Sequence, residues 1–283
     1  MIKVLKPGFY TTVQDLGRCG YLSCGVPLSG VMDRYASAVA NALLGNSNVA
    51  PVLEMTMTGP ILQFNCSTMI CVSGAHMGPM LNDIPIKNNK AIVVAKGDVL
   101  HFGKLIRGFR AYLAVLGGFQ IKYVMGSYSM YKNITDQIHV AKGDELQIEQ
   151  NQTLNIEKYA KLRVNNAYLN KSSIEVFKGP ECNLLSKSQQ DALFSKTYTV
   201  SKNNNRMAYQ LEEPLANTLD AIITSPVRPG TVQLTPSGQL IVLMRDCQTT
   251  GGYPRVLQLK ASAIDVLSQK FSGNSIKFKC IGI

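Results

Sequence analysis

The chain has 283 residues, enough for one large domain or two modest ones, and 46% hydrophobic against 17% charged residues mark it as globular rather than disordered. A net charge of +11 favours anionic partners such as phosphates, carboxylates or an acidic protein surface, yet the 29 basic residues are scattered, which argues against nucleic-acid binding. Seven cysteines without a Cys-x-x-Cys pair, and three histidines far apart in sequence, argue against a structural metal and fit a reduced cytoplasmic protein.

In chain order, Met1 to Val4 reads as a strand start broken by Pro7-Gly8 rather than as a secretory leader. No apolar run approaches the roughly 18 residues of a membrane span. Asp33 is placed to cap a helix in which Tyr35, Ala36, Val39, Ala40, Leu43 and Leu44 recur at helical spacing, and Gly45-Asn46 ends it. Short strands are expected at Ile61–Phe64, Met69–Val72, Ala91–Ala95, Val99–Phe102, Ala111–Leu116 and Leu146–Ile148. Within them Ala95-Lys96-Gly97-Asp98 recurs as Ala141-Lys142-Gly143-Asp144, an echo that reads as two hairpin turns and suggests a barrel-like architecture. A fainter echo links Pro27-Leu28-Ser29-Gly30 to Thr235-Pro236-Ser237-Gly238.

The polar, Asn-rich stretch from Gln150 to Lys171 separates the two halves, placed at 1–160 and 161–283. Further strands are expected at Ser173–Phe177, Val232–Leu234, Leu240–Met244 and Ser275–Ile281. A second helix is expected at about Ser188–Phe194, with Ser186 and Gln189 as a capping box, and a third over Ala263–Gln269.

Two clusters carry the candidate chemistry. The first is Gln14-Asp15 with Arg18, after a short strand: Asp15 is a candidate acid/base or cation-holding carboxylate, and Arg18 either clamps a substrate anion or pairs with Asp15 or Asp33. The second follows the apolar run Leu240 to Met244. It delivers Asp246, Gln248, Thr249, Thr250, Gly251, Gly252 and Tyr253 within a few residues, a density that suggests a ligand surface at a strand end. Asp246 is the second candidate carboxylate. Gln248, Thr249 and Thr250 can orient an amide-like substrate or bond their own turn. Gly251-Gly252 would let backbone N–H groups approach an anion, and Tyr253 would wall the site. Arg206 either meets phosphate or pins the fold.

Glu54, between apolar residues, needs a buried partner; Arg110, His76 and Cys247 read as structural. There is no Walker loop, dinucleotide fingerprint or biotin-carrier Met-Lys-Met.

Five segments in order along nearly the whole chain give it a resemblance to the biotin-dependent carboxyltransferase-like family. They are Pro7-Gly8 with Thr11 to Arg18 and Gly20-Tyr21; Gly25-Val26-Pro27 to Asp33; Leu53 to Thr56 with Gly59-Pro60; Arg110 to Val115 with Gly117-Gly118; and Gln248 to Pro254 with the preceding strand. Gly179-Pro180 and Arg206-Met207 with Tyr209 fit as well. The family includes allophanate hydrolase subunit 2, the C subunit of bacterial 5-oxoprolinase and the antagonist of a sporulation kinase inhibitor.

The resemblance implies a mainly β fold of cyclophilin-like β-barrel subdomains with a few short helices. It also implies partner proteins, the A and B subunits of 5-oxoprolinase, and an ATP-dependent opening of the 5-oxoproline lactam. Within that reading the candidates from the two clusters are Asp15, Arg18 and Asp246 as catalytic groups, and Gln14, Arg206 and Gln248 to Tyr253 as substrate contacts. The alternatives it leaves are a biotin-dependent carboxyltransferase acting on urea or a similar amide, with biotin on a separate carrier, and a non-catalytic regulator that binds a kinase inhibitor. The chain departs from the family pattern at Ala208, usually Gly, at Met130, usually Thr, and over Tyr131–Val140, which lacks the usual glycines.

Overall fold

The computed structural model describes residues 1–149 and 162–282. The chain divides into two compact units: Met1–Arg18 with Ser29–Asn170, and Cys19–Leu28 with Lys171–Ile283. The boundary expected between residues 160 and 161 lies outside the described residues.

The first unit contains two antiparallel sheets. The six-stranded sheet runs in the order Glu145–Leu146, Ile2–Lys6, Ile61–Phe64, Val99–Phe102, Pro79–Leu81, Ile84–Pro85. The five-stranded sheet runs Tyr10–Gln14, Val52–Thr56, Arg107–Val115, Thr68–His76, Ile92–Val94. Alternate residues of both sheets, among them Ile2, Val4, Leu62, Phe64 and Leu100 from one and Val13, Leu53, Met55, Val72 and Leu113 from the other, form one shared core. The opposite face of the five-stranded sheet is covered too. Helix α1, Arg34–Leu44, lays Ala36, Ala40 and Leu44 against Val52, Cys71, Tyr112 and Ala114. Two covered faces explain why Thr68–His76 and Arg107–Val115 are buried nearly end to end instead of alternating.

Helix α1 starts and stops where local chemistry dictates. The Asp33 carboxylate accepts the Ala36 N–H at 2.9 Å, and Gly45 ends the helix in the left-handed region at φ 72°.

The second unit is a closed seven-stranded barrel, with strands in the order Ser173–Lys178, Arg255–Leu259, Thr231–Leu234, Leu240–Leu243, Ala208–Leu211, Tyr198–Asn204, Ser275–Cys280. Closure joins the first and last strands in parallel, from Ser173 opposite Lys277 to Val176 opposite Cys280. Helices α2, Lys187–Ser195, and α3, Ala261–Ser268, accompany it. The Ser186–Gln189 capping box is present with both reciprocal bonds. The expectation of a mainly β fold with a barrel and a few short helices therefore holds. Among the described residues no helix is long and apolar enough to cross a membrane.

The Gly-Asp echo is real, but neither copy closes a hairpin. The first turn links the strand Ile92–Val94 of one sheet to Val99–Phe102 of the other, and the second leads into Glu145–Leu146. In both, the Asp carboxylate accepts the N–H three residues earlier, Ala95 and Ala141, at 2.8 Å. Each glycine N–H then bonds a carbonyl on a neighbouring strand, Gly97 to Phe64 and Gly143 to Val4. The echo encodes the same docking of a turn onto a strand, a long-range contact that a local turn signal does not reveal.

Candidate functional site

In the first unit, Gln14, Asp15 and Arg18 converge on one segment. Asp15 Oδ1 accepts hydrogen bonds from Ser127 Oγ at 2.6 Å, Ser129 Oγ at 2.7 Å and the Gly17 N–H at 2.8 Å. Asp15 Oδ2 accepts the Tyr128 N–H at 2.8 Å. Arg18 Nη2 donates to the Ser129 carbonyl at 2.6 Å, and Gln14 Nε2 to the Met130 carbonyl at 3.2 Å. All three side chains are buried. Four donors on one carboxylate make Asp15 a fixed acceptor that ties the Ser127–Met130 segment to the strand Tyr10–Gln14. Ser127 and Ser129, both fully buried, are the residues that sequence reasoning missed here. The run Gly126-Ser127-Tyr128-Ser129 is the only signal the sequence offers, and nothing local points from it to Asp15.

Met130, where the family usually has Thr, is buried in the shared core, and its Sδ accepts the Val13 N–H at 3.4 Å. The glycine-free segment after it closes through Thr135, whose Oγ1 accepts the Tyr131 N–H, and returns to the sheet where the Val140 N–H meets the Thr11 carbonyl.

Glu54 has the partners that its burial requires. Its Oε2 accepts the Met32 N–H at 2.7 Å and the Tyr112 hydroxyl at 2.8 Å, and its Oε1 lies 3.8 Å from Arg110 Nε. The Tyr112 oxygen accepts the Asp33 N–H, and Asp33 Oδ2 accepts the Tyr168 hydroxyl at 2.6 Å. Burial, reinforced by the Glu54 and Asp33 charges, pushes the Tyr112 hydroxyl well above its usual range, so it stays a protonated donor. This network holds the loop before α1. His76 is used locally, its Nδ1 accepting the Gly78 N–H at 3.3 Å.

In the second unit, Arg206 and Asp246 form a two-pronged pair. Nε donates to Oδ2 at 2.8 Å and Nη2 to Oδ1 at 2.9 Å, with side-chain exposures of 6% and 12%. The Asp246 N–H also bonds the Arg206 carbonyl at 2.9 Å. Thr250–Gly251 pairs with Ser225–Pro226 as a small sheet, and the Thr249 carbonyl accepts the Val227 N–H. Gln248 Nε2 reaches Gln233 Oε1 at 3.4 Å, and Gln233 Nε2 reaches the Tyr253 carbonyl at 3.4 Å. Gln233, buried beneath this loop, is the second residue that sequence reasoning missed. Its signal was a lone amide in the apolar strand Thr231–Leu234.

Gln233 also explains one glycine: a Cβ on Gly251 would sit 2.4 Å from Gln233 Nε2, so Gly251 makes room for that amide. At Gly252 the nearest atom is the Ile222 carbonyl oxygen, 3.6 Å away. Ala208, where the family usually has Gly, lies in the strand Ala208–Leu211 and packs against the small cluster of Val227, Leu243 and Cys247. Burial, with the Asp246 charge beside it, pushes the Cys247 thiol up to about 12, so it is not a thiolate at neutral pH. Among the described residues no group of three or more His, Cys, Asp or Glu is placed to hold a metal ion.

Two packed sheets in the first unit, and in the second a closed barrel carrying the Arg206–Asp246 pair and the Gln248–Tyr253 loop, make this a mainly β protein of two units. The chain belongs to the family described as carboxyltransferase domain, subdomain A and B, which matches residues 24–280. It is 32% identical to the 5-oxoprolinase C subunit of Escherichia coli over 98% of this chain and 90% of that protein. It is also 48% identical to urea amidolyase of Lachancea kluyveri, over 46% of this chain and 7% of that protein. Among solved structures, the Kluyveromyces lactis urea amidolyase superimposes with a TM-score of 0.87 at 28% identity, covering 98% of this chain. The chain spans 18% of that solved protein.

Proposed function

We propose that this chain is the C subunit of an ATP-dependent 5-oxoprolinase-type complex, acting with the A and B subunits in the cytoplasm to open the lactam of 5-oxoproline to glutamate. The observation that supports this most is the length of the likeness to the Escherichia coli 5-oxoprolinase C subunit, which takes in 98% of this chain and 90% of that one.

In this reading water adds to the lactam carbonyl carbon, the ring C–N bond breaks, and the nitrogen takes a proton to become the amine of glutamate. Asp246, oriented by Arg206 before substrate arrives, is assigned to take a proton from the attacking water and pass it to the ring nitrogen. Gln248, Thr249 and Thr250 supply amide and hydroxyl groups for the ring carbonyl and N–H, with Gly252 and Tyr253 at the edge. Gln14, Asp15 and Arg18 are assigned to holding the Ser127–Met130 segment, since the four donors on Asp15 leave it poorly suited to move a proton.

ATP supplies the driving force for opening a stable five-membered lactam. At Gly251 the space beside the glycine is taken by Gln233, which argues against a phosphate cradle at that position. In this reading nucleotide binding belongs to the partner subunits.

The test is 5-oxoproline-dependent ATP hydrolysis and glutamate release by the A and B subunits with and without this chain. Release that requires this chain supports the proposal. A stable complex with no release overturns it. The second reading, a carboxyltransferase step on urea or a similar amide, draws on the 48% identity to the Lachancea kluyveri urea amidolyase. It predicts urea-dependent turnover with a separate biotinylated carrier.

A further inference from the structure

The barrel carries a concavity of about 560 Å³ lined by none of the side chains assigned to the proposed chemistry. Its walls are apolar: Leu22, Phe177, Pro180, Val227 and Leu257. Gly179 also lines it, and a Cβ there would fall 2.0 Å from the Arg255 carbonyl oxygen, so the backbones are packed too closely for any side chain. The volume lies in the range of small-molecule sites, about 300–1,000 Å³.

Three cations line the cavity, Lys178, Arg228 and Arg255, and none of the lining residues is acidic. Two of the three are engaged. Lys178 Nζ donates to Gln190 Oε1 at 2.9 Å, and Arg255 is held by Glu181 through Nη2 to Oε1 at 2.7 Å and Nε to Oε2 at 3.0 Å. Arg228 is exposed and makes no side-chain ion pair or hydrogen bond among the described residues. An apolar hollow with one uncommitted guanidinium at its edge suits a ligand with a hydrophobic body and a planar anion, which a guanidinium grips with two parallel hydrogen bonds.

We propose that this cavity binds a small amphiphilic carboxylate, an apolar chain or ring that lies against Phe177 and Leu257 while its carboxylate meets Arg228. The site uses none of the side chains assigned to ring opening, although its wall residues Pro226 and Val227 pair through the backbone with Thr249 and Thr250.

The experiment is a titration of the full chain with octanoate and, separately, with octanol, followed by amide chemical shifts. Saturable shifts at Phe177, Val227 and Leu257 are expected for octanoate, with octanol at least about tenfold weaker for want of the charged contact. Arg228→Ala, a substitution at an exposed position, is expected to weaken octanoate about tenfold and leave octanol unchanged. Leu22→Asp, at a wall residue that is 44% exposed, places a carboxylate at the cavity and is expected to weaken octanoate further than octanol. Equal binding of octanoate and octanol, indifference of octanoate to Arg228→Ala, or no saturable shift at the cavity residues would each overturn the proposal.

Discussion

Replacing Asp15 separates an anchor from an acid. Asp15→Ala removes the acceptor for the Ser127 and Ser129 hydroxyls and the Gly17 and Tyr128 amides, at 2.6, 2.7, 2.8 and 2.8 Å. A hydrogen bond to a charged group contributes about 1.5–3 kcal/mol, and a stranded buried donor costs about 1–3 kcal/mol. The two hydroxyls can turn to other acceptors, whereas the two amides cannot, so the expected loss is about 4 kcal/mol rather than the sum of four bonds. Asp15→Asn keeps a neutral acceptor at Oδ1 for three of the donors but sets an NH2 against the Tyr128 N–H, and should cost about 2 kcal/mol. Urea unfolding followed by far-ultraviolet circular dichroism measures both, in a chain that has no tryptophan. If Asp15 transferred a proton, Asp15→Asn would abolish turnover in the assembled complex at nearly full stability. A loss below about 1 kcal/mol for Asp15→Ala, or an Asn variant as unstable as the Ala variant, would refute the anchoring argument.

Asp246→Asn should put an NH2 in place of one of the two oxygens that position 246 offers Arg206, 6% exposed. A double-mutant cycle of Arg206→Ala and Asp246→Ala is expected to give a coupling of about 2–4 kcal/mol, and a value near zero would dismiss the pair as incidental. Gly179→Ala drives a Cβ to 2.0 Å from the backbone oxygen of Arg255 and should cost about 3 kcal/mol or more by chemical denaturation. Arg255 beside Glu181 holds that carboxyl below its ordinary 4.5. Since the folded value is the lower one, the pair's contribution is present above about pH 4.5 and is lost as the pH falls through the lowered value. Glu181→Gln should therefore flatten the acid limb of stability by about 1 kcal/mol, read as melting temperature against pH. Cys247, buried and raised to about 12, should resist iodoacetamide at pH 8 in the native chain and react once the chain is unfolded.

Local signals were legible wherever the physics is local. The Asp33 cap, the Gly45 stop and the Ser186–Gln189 capping box each involve residues three or four apart, and all appear as expected. Strands with apolar runs, such as Leu240–Leu243, were equally plain. Tyr198–Asn204 was not, because its last residues, Ser201 to Asn204, carry no apolar alternation and gain their strand geometry from pairing with Ala208–Leu211. The candidate site divides along the same line. Sequence picked out Asp15, Arg18, Arg206 and Asp246 as polar residues in unusual settings, but offered several partners for each cation. The partner of Asp15 is a pair of serines more than 100 positions away, and that of Arg206 is Asp246, 40 positions on. Gln233 was overlooked because an amide in an apolar strand reads as a solvated edge until the loop above it is seen.

The assignment of Cys19–Leu28 to the barrel unit has a consequence for synthesis on the ribosome. This ten-residue piece emerges roughly 140 residues before Lys171–Ile283, the remainder of the unit to which it belongs. At about 5–20 residues per second the interval is on the order of 10–30 s. For that time Leu22, which walls the barrel's cavity, has nothing of its own unit to pack against. The residues on either side of it, Tyr10–Gln14 and Arg34–Leu44, can already begin to join the first unit's sheet and helix layers. The early piece must wait as an excursion from a forming domain, open to chaperones or to premature pairing, until the barrel is made.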